Sequence, residues 1–290
     1  MELSVRNIKK SFSKKEVLKD ISFDLTSGVY ALVGTNGAGK TTLMQILTGL
    51  IPFDSGEILL NDVHINPQET SFTEKIGYLP QETPIYKNFS VQQFLMYIAT
   101  LKGIQKNQRL KKVKDVITQV NLTSNAGSLL KSLSGGMKRR VGIAQLLLGD
   151  PDILIIDEPT TGLDPKERMR FHNLLNTISH NKIIILSTHI MSDVSFVAKE
   201  ILLIKDGEII KKNTPHHLLS ELTEKVWSVE VNPHELADVE ASFKTGSVKS
   251  LEDNLHRVRI LSTFKPHARA KQDEPELEDL YLYYLDGESR

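Results

Sequence analysis

The sequence predicts an α/β fold in which strands and helices alternate around one main sheet. Continuous apolar runs at residues 153–156 and 183–186 are typical of parallel strands that helices cover on both faces. A helical insertion is predicted at about residues 82–150, because apolar side chains recur there at helical spacing. We therefore expect one main domain over residues 1–215, including this insertion, and a small α+β domain over residues 216–290.

Strand patterns dominate the N-terminal part of the chain. Residues 1 to about 30 predict two or three strands, and the clearest alternation of apolar and polar residues lies at 17–25. An apolar run at 29–33 predicts the next strand, and a helix follows over residues 42–47. Two shorter strands are predicted at residues 56–60 and 76–79.

The insertion begins with a helix whose start and end are both marked. Ser90 and Gln93 have the spacing of a capping box, and Gly103 is a suitable stop. A second helix is predicted over residues 109–120. It carries three lysines that indicate a solvated face rather than a phosphate-binding patch: Lys111, Lys112 and Lys114.

Strand and helix signals return after the insertion. A helix is predicted over residues 165–179, where proline occupies an early helical position. Asp206-Gly207 is a typical turn for a hairpin over residues 201–210. An Asn-Thr-Pro turn at 213–215 marks the domain boundary. Beyond it, strands are predicted at residues 226–231, 248–252 and 255–261, and a helix near 276–285.

Composition is that of an ordinary soluble globular protein, with 40% hydrophobic and 25% charged residues. Since 36 basic residues balance 36 acidic ones, the chain has no overall positive field, and nucleic acid is disfavoured as a partner. No apolar stretch approaches the ~20 residues needed to cross a bilayer, and the N-terminus lacks the pattern of a secretory signal. The absence of cysteine fits a reducing compartment, so we expect the cytoplasm.

Residues 34–41 read Gly-Thr-Asn-Gly-Ala-Gly-Lys-Thr, the phosphate-binding pattern GxxxxGK[ST] between a strand and a helix. Such a loop points backbone amides into one concavity at the positive end of the helix dipole. Lys40 is expected to reach the β- and γ-phosphates of a nucleotide, and Thr41 to bind Mg²⁺. The alternative is a glycine-rich turn before an ordinary helix. The candidate nucleotide-binding residues here are Gly34, Thr35, Asn36, Gly37, Ala38, Gly39, Lys40, Thr41 and Thr42.

Two adjacent carboxylates, Asp157 and Glu158, follow a buried strand. Open α/β sheets bind ligands at the carboxyl ends of their strands. Adjacent residues project differently, so Asp157 is expected to hold Mg²⁺ through its water shell while Glu158 orients and polarises an attacking water. The alternative is a solvated turn before Pro159.

A helix over about residues 134–148 begins with Ser134-Gly135-Gly136. Glycine in a first helical turn costs up to about 1 kcal/mol relative to alanine. Two of them are understandable if a ligand's oxygens approach the bare backbone at the positive helix end. A plain cap at Ser134 is the alternative, and it leaves the second glycine unexplained.

In combination, the phosphate loop, Leu133-Ser134-Gly135-Gly136 and the strand ending in Asp157-Glu158 resemble the ATP-binding cassette family over about residues 1–212. The resemblance implies a P-loop NTPase sheet with an N-terminal antiparallel β subdomain and a helical insertion. It also implies roles for four further residues: Phe12 would stack on adenine, Gln81 would contact Mg²⁺, Asp164 would lie in a loop crossing the dimer interface, and His189 would contact the γ-phosphate.

By this resemblance the catalytic residues are Lys40, Gln81, Glu158 and His189, and the Mg²⁺ ligands are Thr41, Gln81 and Asp157. Two residues depart from the usual motifs. Met137 stands where the best-known signature has glutamine, and Phe12 stands where tyrosine is usual. Neither change removes a phosphate ligand, so we expect activity to survive. For Phe12 the alternative is a half-buried strand residue.

The resemblance further implies that one subunit binds ATP but lacks a complete site, which the partner's Ser134 and Gly136 must close. The expected assembly is a head-to-tail homodimer, or a heterodimer with a second cassette subunit, that encloses two ATP molecules with Mg²⁺. The transmembrane part would be a permease on a separate chain, which holds this subunit at the cytoplasmic face of the membrane. We place the docking surface at residues 82–86 and the Ser90 helix, with Tyr86 and Phe94 as test positions.

The C-terminal segment, residues 276–285, resembles the tail of cassette subunits from bacterial exporters of drugs, antimicrobial peptides and lipids, which favours export over import. Two other classes compete with a transporter. One is a soluble cassette ATPase acting on ribosomes or DNA, whose members usually carry two cassettes or a long coiled coil. The other is a kinase with a similar loop, which would leave Ser134-Gly135-Gly136 and His189 without a role.

Overall fold

The computed structural model describes residues 1–81, 86–188 and 190–286. Its main sheet has ten strands in the spatial order β5-β4-β1-β2-β10-β9-β3-β8-β7-β6. The strands are β1 (Glu2–Phe12), β2 (Lys15–Thr26), β3 (Gly28–Gly34), β4 (Ser55–Leu60), β5 (Val63–Ile65), β6 (Ile76–Leu79), β7 (Ile153–Ile156), β8 (Ile183–Thr188), β9 (Glu200–Lys205) and β10 (Glu208–Asn213).

The two halves of this sheet differ in direction. Strands β6, β7, β8, β3 and β9 pair in parallel. This confirms the prediction that the continuous apolar runs of β7 and β8 form parallel strands. Strands β5, β4, β1 and β2 are antiparallel. A single residue pair, Glu208 with Asp20, joins β10 to β2 and so connects the halves. The N-terminal antiparallel subdomain implied by the resemblance is therefore present.

Helices cover both faces of the sheet. Ser90 accepts a hydrogen bond from the Gln93 amide, and Gln93 returns one to the Ser90 amide, so the predicted capping box is confirmed. Four helices were not predicted, at Thr70–Thr73, Met191–Val197, Pro215–Ser220 and Pro233–Ser242. The helices are α1 (Lys40–Leu47), α2 (Thr70–Thr73), α3 (Val91–Leu101), α4 (Lys106–Gln119), α5 (Gly135–Leu147), α6 (Pro165–Ile178), α7 (Met191–Val197), α8 (Pro215–Ser220), α9 (Pro233–Ser242) and α10 (Leu277–Leu280). None of the helices in the described ranges is both long and apolar enough to span a bilayer.

Each face of the parallel half packs into its own core cluster, because neighbouring strand residues point to opposite faces. Tyr30 and Leu32 pack with α1 and the N-terminal strands. Val29, Ala31 and Val33 pack instead with the helical insertion, which includes α5, and with α6 and α7. The phosphate loop follows directly from this buried strand.

The C-terminal part forms a second sheet in the order β12-β13-β11-β14, with α9 against it. The strand predicted at 248–252 is observed at Lys244–Ser250. It begins earlier because it pairs with the strand His256–Leu261 as far back as Lys244. The predicted final helix is α10 followed by a π-helical turn, Tyr281–Leu285. Its Leu277, Leu280 and Leu285 pack into the core of the main sheet. The second sheet consists of β11 (Val226–Val231), β12 (Lys244–Ser250), β13 (His256–Leu261) and β14 (Lys271–Gln272).

Candidate nucleotide site

The phosphate loop joins the last residue of β3 to the first residue of α1. Gly39 caps α1 with a φ of 106°, a conformation that L side chains rarely adopt. A Cβ on Gly39 would also lie 2.6 Å from Cδ2 of Leu18. Both the turn and the close approach of β2 therefore require glycine here, and they place the free amides of α1 at the loop.

Lys40 lies across the loop and is 7% exposed. Its Nζ donates hydrogen bonds to the carbonyls of Gly34 at 2.6 Å and Thr35 at 2.9 Å. Burial lowers the pKa of Lys40 below its usual value, although the charges of Glu158 and Asp157 act in the opposite direction. A buried ammonium held mainly by carbonyls gains from a nearby anion, so this position fits the phosphates of a nucleotide.

A serine on the neighbouring strand holds the Asp157 carboxylate and the Glu158 backbone. Asp157 is 6% exposed at the end of β7, and its Oδ1 accepts a hydrogen bond of 2.5 Å from the Ser187 hydroxyl. The same hydroxyl accepts a hydrogen bond of 2.9 Å from the Glu158 amide. The parallel register of β7 and β8, with Ile156 opposite Leu186, brings Ser187 beside this turn.

Glu158 has a φ of 42°, in the left-handed region that non-glycine residues rarely occupy. Such a backbone costs about 1–3 kcal/mol and is found preferentially at functional sites. It turns the side chain away from the strand, where its Oε2 accepts hydrogen bonds from Gln81 Nε2 at 3.1 Å and Thr161 Oγ1 at 3.3 Å. The two adjacent acids therefore contact different partners, and their roles toward Mg²⁺ and the attacking water stay predictions.

The predicted Mg²⁺ ligands are chemically suited to that ion. Thr41 is exposed beside the buried Lys40, and Gln81 and Asp157 lie at the carboxyl edge of β6 and β7. Mg²⁺ prefers oxygen ligands and retains several waters, so one hydroxyl, one amide and one carboxylate with phosphate oxygens form a suitable set. Within the described ranges, no group of three or more His, Asp or Glu forms a metal site made by the protein alone.

Phe12 lies at the hairpin end of β1, paired with Lys15 of β2, and is 48% exposed. Lys10 Nζ is 5.4 Å from the centre of its ring. The side chain is therefore that of a half-buried strand residue, the alternative reading, and its exposed ring face leaves stacking on a base as a prediction.

Ser134 and Asp164 each cap a helix. The Ser134 side chain accepts a hydrogen bond from the Met137 amide at the start of α5, and Asp164 does the same from the Glu167 amide at the start of α6. A Cβ on Gly136 would lie 2.6 Å from Cγ of Glu167. The second glycine, which a plain cap left unexplained, is thus needed for packing inside this chain. A Cβ on Gly135 would meet nothing within 4 Å.

The structure arranges the predicted residues in two groups. The first, which we call the cradle, consists of Lys40, Gln81, Asp157 and Glu158, linked by the hydrogen bond and charge interactions described above. The second, which we call the cover, is the first turn of α5 with Ser134, Gly135 and Gly136. Ser134 and Gly135 are exposed. His189 lies outside the described residues.

Sequence reasoning missed two residues at the site, Ser187 and Arg139. A hydroxyl at the carboxyl end of an otherwise apolar strand was a usable signal for Ser187. Arg139 contacts the segments of Gln81 and Asp157 through backbone carbonyls. No sequence pattern indicates such contacts, because carbonyl acceptors are independent of residue type.

Comparisons with known proteins show which family the chain resembles. The profile of the family described as ABC transporter matches residues 18–161. The linearmycin resistance ATP-binding protein LnrL of Bacillus subtilis (strain 168) is 32% identical, with 97% of each chain covered. The lantibiotic transport ATP-binding protein SrtF of Streptococcus pyogenes is 36% identical over 72% of this chain and 89% of that protein.

A solved structure is similar as well. The structure of cbiO1 from Clostridium perfringens, part of the ABC transporter complex cbiONQ, aligns with a TM-score of 0.69 at 29% identity. The alignment covers 76% of this chain and 90% of cbiO1. The P-loop α/β fold expected from the sequence is therefore confirmed by structural similarity.

Proposed function

This chain belongs to the ABC transporter family as an ATP-hydrolysing subunit, and we propose that it works as a dimer whose ATP sites each combine one subunit's cradle with the other's cover. The observation that carries this proposal is the exposure of Ser134 and Gly135 at the positive end of α5, where the Ser134 side chain accepts a hydrogen bond from the Met137 amide of its own helix. A Cβ on Gly135, in the cover, would meet nothing within 4 Å, so the chain's own atoms leave space in front of this helix end. A second copy, or a second cassette subunit, would fill that space with its bound ATP.

Within one composite site the residues have distinct tasks. Lys40 would leave the carbonyls of Gly34 and Thr35 to bind the β- and γ-phosphates. Thr41, Gln81 and Asp157 would hold Mg²⁺, which neutralises phosphate charge when bound. Glu158 would orient the attacking water and accept its proton, and we retain His189 as the proposed contact to the γ-phosphate.

The partner's cover would act on the γ-phosphate. The Ser134 hydroxyl, the Gly136 backbone and the positive end of α5 supply the donors and the dipole that an anion requires. ATP stabilises the closed dimer only through contacts that ADP cannot make, so hydrolysis shifts the population back to the open form. That alternation would drive a separate membrane permease. We propose export as the direction, in line with the names of the linearmycin and lantibiotic relatives.

We place the permease contact on an aromatic cluster at the start of the helical insertion. Tyr86 is 52% exposed, and its ring centre lies 5.5 Å from that of Phe89 and 5.6 Å from that of Tyr97. A cavity of about 560 Å³ opens beside Phe89, Met96 and Tyr97. Phe94 was expected on this surface but is 2% exposed, so it is a core residue, and Tyr97 takes its place. Residues 82–85 lie outside the described residues.

Capture from solubilised membranes tests this function. The tagged chain, expressed in its own host, is expected to retain a multi-span membrane protein encoded beside it. Replacing Tyr86 and Tyr97 together by alanine should reduce that capture at least about tenfold, since buried aromatic anchors carry much of an interface's energy. The matched control is Leu101→Ala, on the same helix α3 and 66% exposed. Equal capture by the double variant would refute the docking surface, and no membrane partner for the wild type would refute the transporter role.

A further inference from the structure

Arg139 connects the helix of the cover to the backbone of the cradle within one subunit. It lies on α5, five residues after Ser134. Its guanidinium donates four hydrogen bonds, all to main-chain carbonyls of two segments: Nη1 to Pro80 at 3.1 Å and to Gln81 at 3.0 Å, Nη2 to Asp157 at 2.5 Å, and Nε to Pro159 at 3.1 Å.

These carbonyls are next to the groups that act in the cradle. Glu158 lies between Asp157 and Pro159, so the guanidinium binds the carbonyl of the residue on each side of the water-orienting acid. The same guanidinium holds the carbonyl of Gln81, whose side chain reaches Glu158. A displacement of Arg139 would therefore move both Gln81 and Glu158.

The chemistry of arginine suits this task. A planar fork of donors can serve carbonyls of two segments at once, whereas a lysine ammonium is a point charge with three donors. Burial lowers the pKa of Arg139 to about 10, against the opposing charges of Asp157 and Glu158. The side chain therefore remains charged at neutral pH, and its partial burial is offset by the four carbonyl dipoles.

We propose that Arg139 is a positioning residue that couples the two composite sites. Helix α5 of one subunit contacts the ATP bound by its neighbour, and Arg139 passes a change in the position of α5 to Gln81 and Glu158 of its own subunit. This inference rests on the proposed dimer. When the cover of α5 closes on the partner's nucleotide, the guanidinium moves with the helix and carries the carbonyls of the cradle with it. The two sites would then reach their hydrolytic geometry together, which is positive cooperativity in ATP.

The test is ATP hydrolysis by the purified full chain as a function of MgATP concentration, comparing wild type with Arg139→Lys. We expect the wild type to be cooperative. The variant should lower kcat about 10- to 100-fold, as small misplacements of catalytic groups do, and its Hill coefficient should fall to about 1. Affinity for ATP in the open subunit should stay within about twofold, because the substitution leaves the phosphate loop untouched.

The matched control is Arg109→Lys. Arg109 also donates to a main-chain carbonyl, that of Ile104 at 2.6 Å, but it lies in the helical insertion and contacts Thr100 rather than the cradle. The substitution Arg109→Lys should leave kcat and the Hill coefficient unchanged. A second measurement is a double-mutant cycle with Gln81→Ala, in which the effects of Arg139→Lys and Gln81→Ala on kcat should be markedly non-additive.

If Arg139→Lys keeps the cooperativity and kcat of the wild type, the coupling role is wrong while the dimer stands. Additive effects in the double-mutant cycle would also overturn it. A wild type that neither dimerises with ATP nor shows cooperativity would refute the proposed function itself, and this inference with it. Should Arg139→Lys fold poorly, the same measurements on Arg139→Gln, at a temperature where circular dichroism shows it folded, decide between these outcomes.

Discussion

Gln81 and Glu158 follow neighbouring parallel strands, and Nε2 of Gln81 donates a hydrogen bond of 3.1 Å to Oε2 of Glu158. The register of β6 and β7 pairs Leu79 with Ile156, so the segments that follow the two strands leave the sheet at the same edge. The residue proposed to contact Mg²⁺ thus contacts the residue proposed to orient the attacking water.

Glu158→Gln should retain ATP binding but slow hydrolysis by at least about 100-fold, because the amide cannot accept the proton of the attacking water. The dimer should then persist in its closed form. Size-exclusion chromatography with light scattering, in MgATP, checks this. A variant that stays monomeric under these conditions, while binding ATP normally, contradicts the proposed assembly.

Lys40→Ala should weaken ATP binding about 10- to 100-fold, because one charge-assisted phosphate contact contributes about 1.5–3 kcal/mol. Titration with a fluorescent ATP analogue measures this. Lys19→Ala is the control, since Lys19 is a partly exposed lysine paired with Glu208 at 3.6 Å. Unchanged affinity for the ATP analogue in the Lys40 variant would contradict the assignment of this loop as the phosphate-binding site.

Much of the cradle was predictable from sequence because its parts follow from local rules. An apolar strand, a glycine-rich turn and a helix start place Lys40, and the carboxyl end of β7 places Asp157 and Glu158. The use of Gly136 was not predictable, since Glu167 reaches it from α6 through tertiary packing. The return of Leu277 and Leu280 to the main core depends on long-range packing of the same kind. The boundary near residue 215 stays a prediction.

A buried ion pair anchors the C-terminal segment. Arg259 donates from Nη2 to Asp279 at 2.8 Å, and Asp279 is 1% exposed. Asp279→Ala should lower the free energy of unfolding by about 3–5 kcal/mol, because it leaves the Arg259 charge buried without that partner. Urea unfolding followed by circular dichroism measures the change. The double variant Arg259→Met, Asp279→Leu should recover part of the lost free energy of unfolding. If none is recovered, the unpaired Arg259 charge is not the cause of the loss.

Glu221 gives the C-terminal segment a pH dependence. Hydrogen bonds from Lys211 and from the Tyr284 hydroxyl hold the pKa of Glu221 below its usual value of 4.5. Because the pKa is lower in the folded state, the stabilisation is fully present above pH 4.5 and is lost as the pH falls below it. Tm measured against pH should therefore fall more steeply on acidification in the wild type than in Glu221→Gln. If the curves of Tm against pH are parallel for the wild type and Glu221→Gln, Glu221 is not the source of this pH dependence.

The most direct test of the composite site is the ATPase activity of mixed dimers, purified with two different tags, that carry Lys40→Ala and Ser134→Arg. If one subunit's cover closes the other's cradle, lesions placed in opposite subunits spoil the same site and leave the second intact. Activity should then remain, at no more than about half of the wild-type level because the two sites are coupled. Lesions placed in one subunit should abolish it. The reverse pattern, with activity retained only when both lesions share a subunit, would show that each chain completes its own site and would contradict the account.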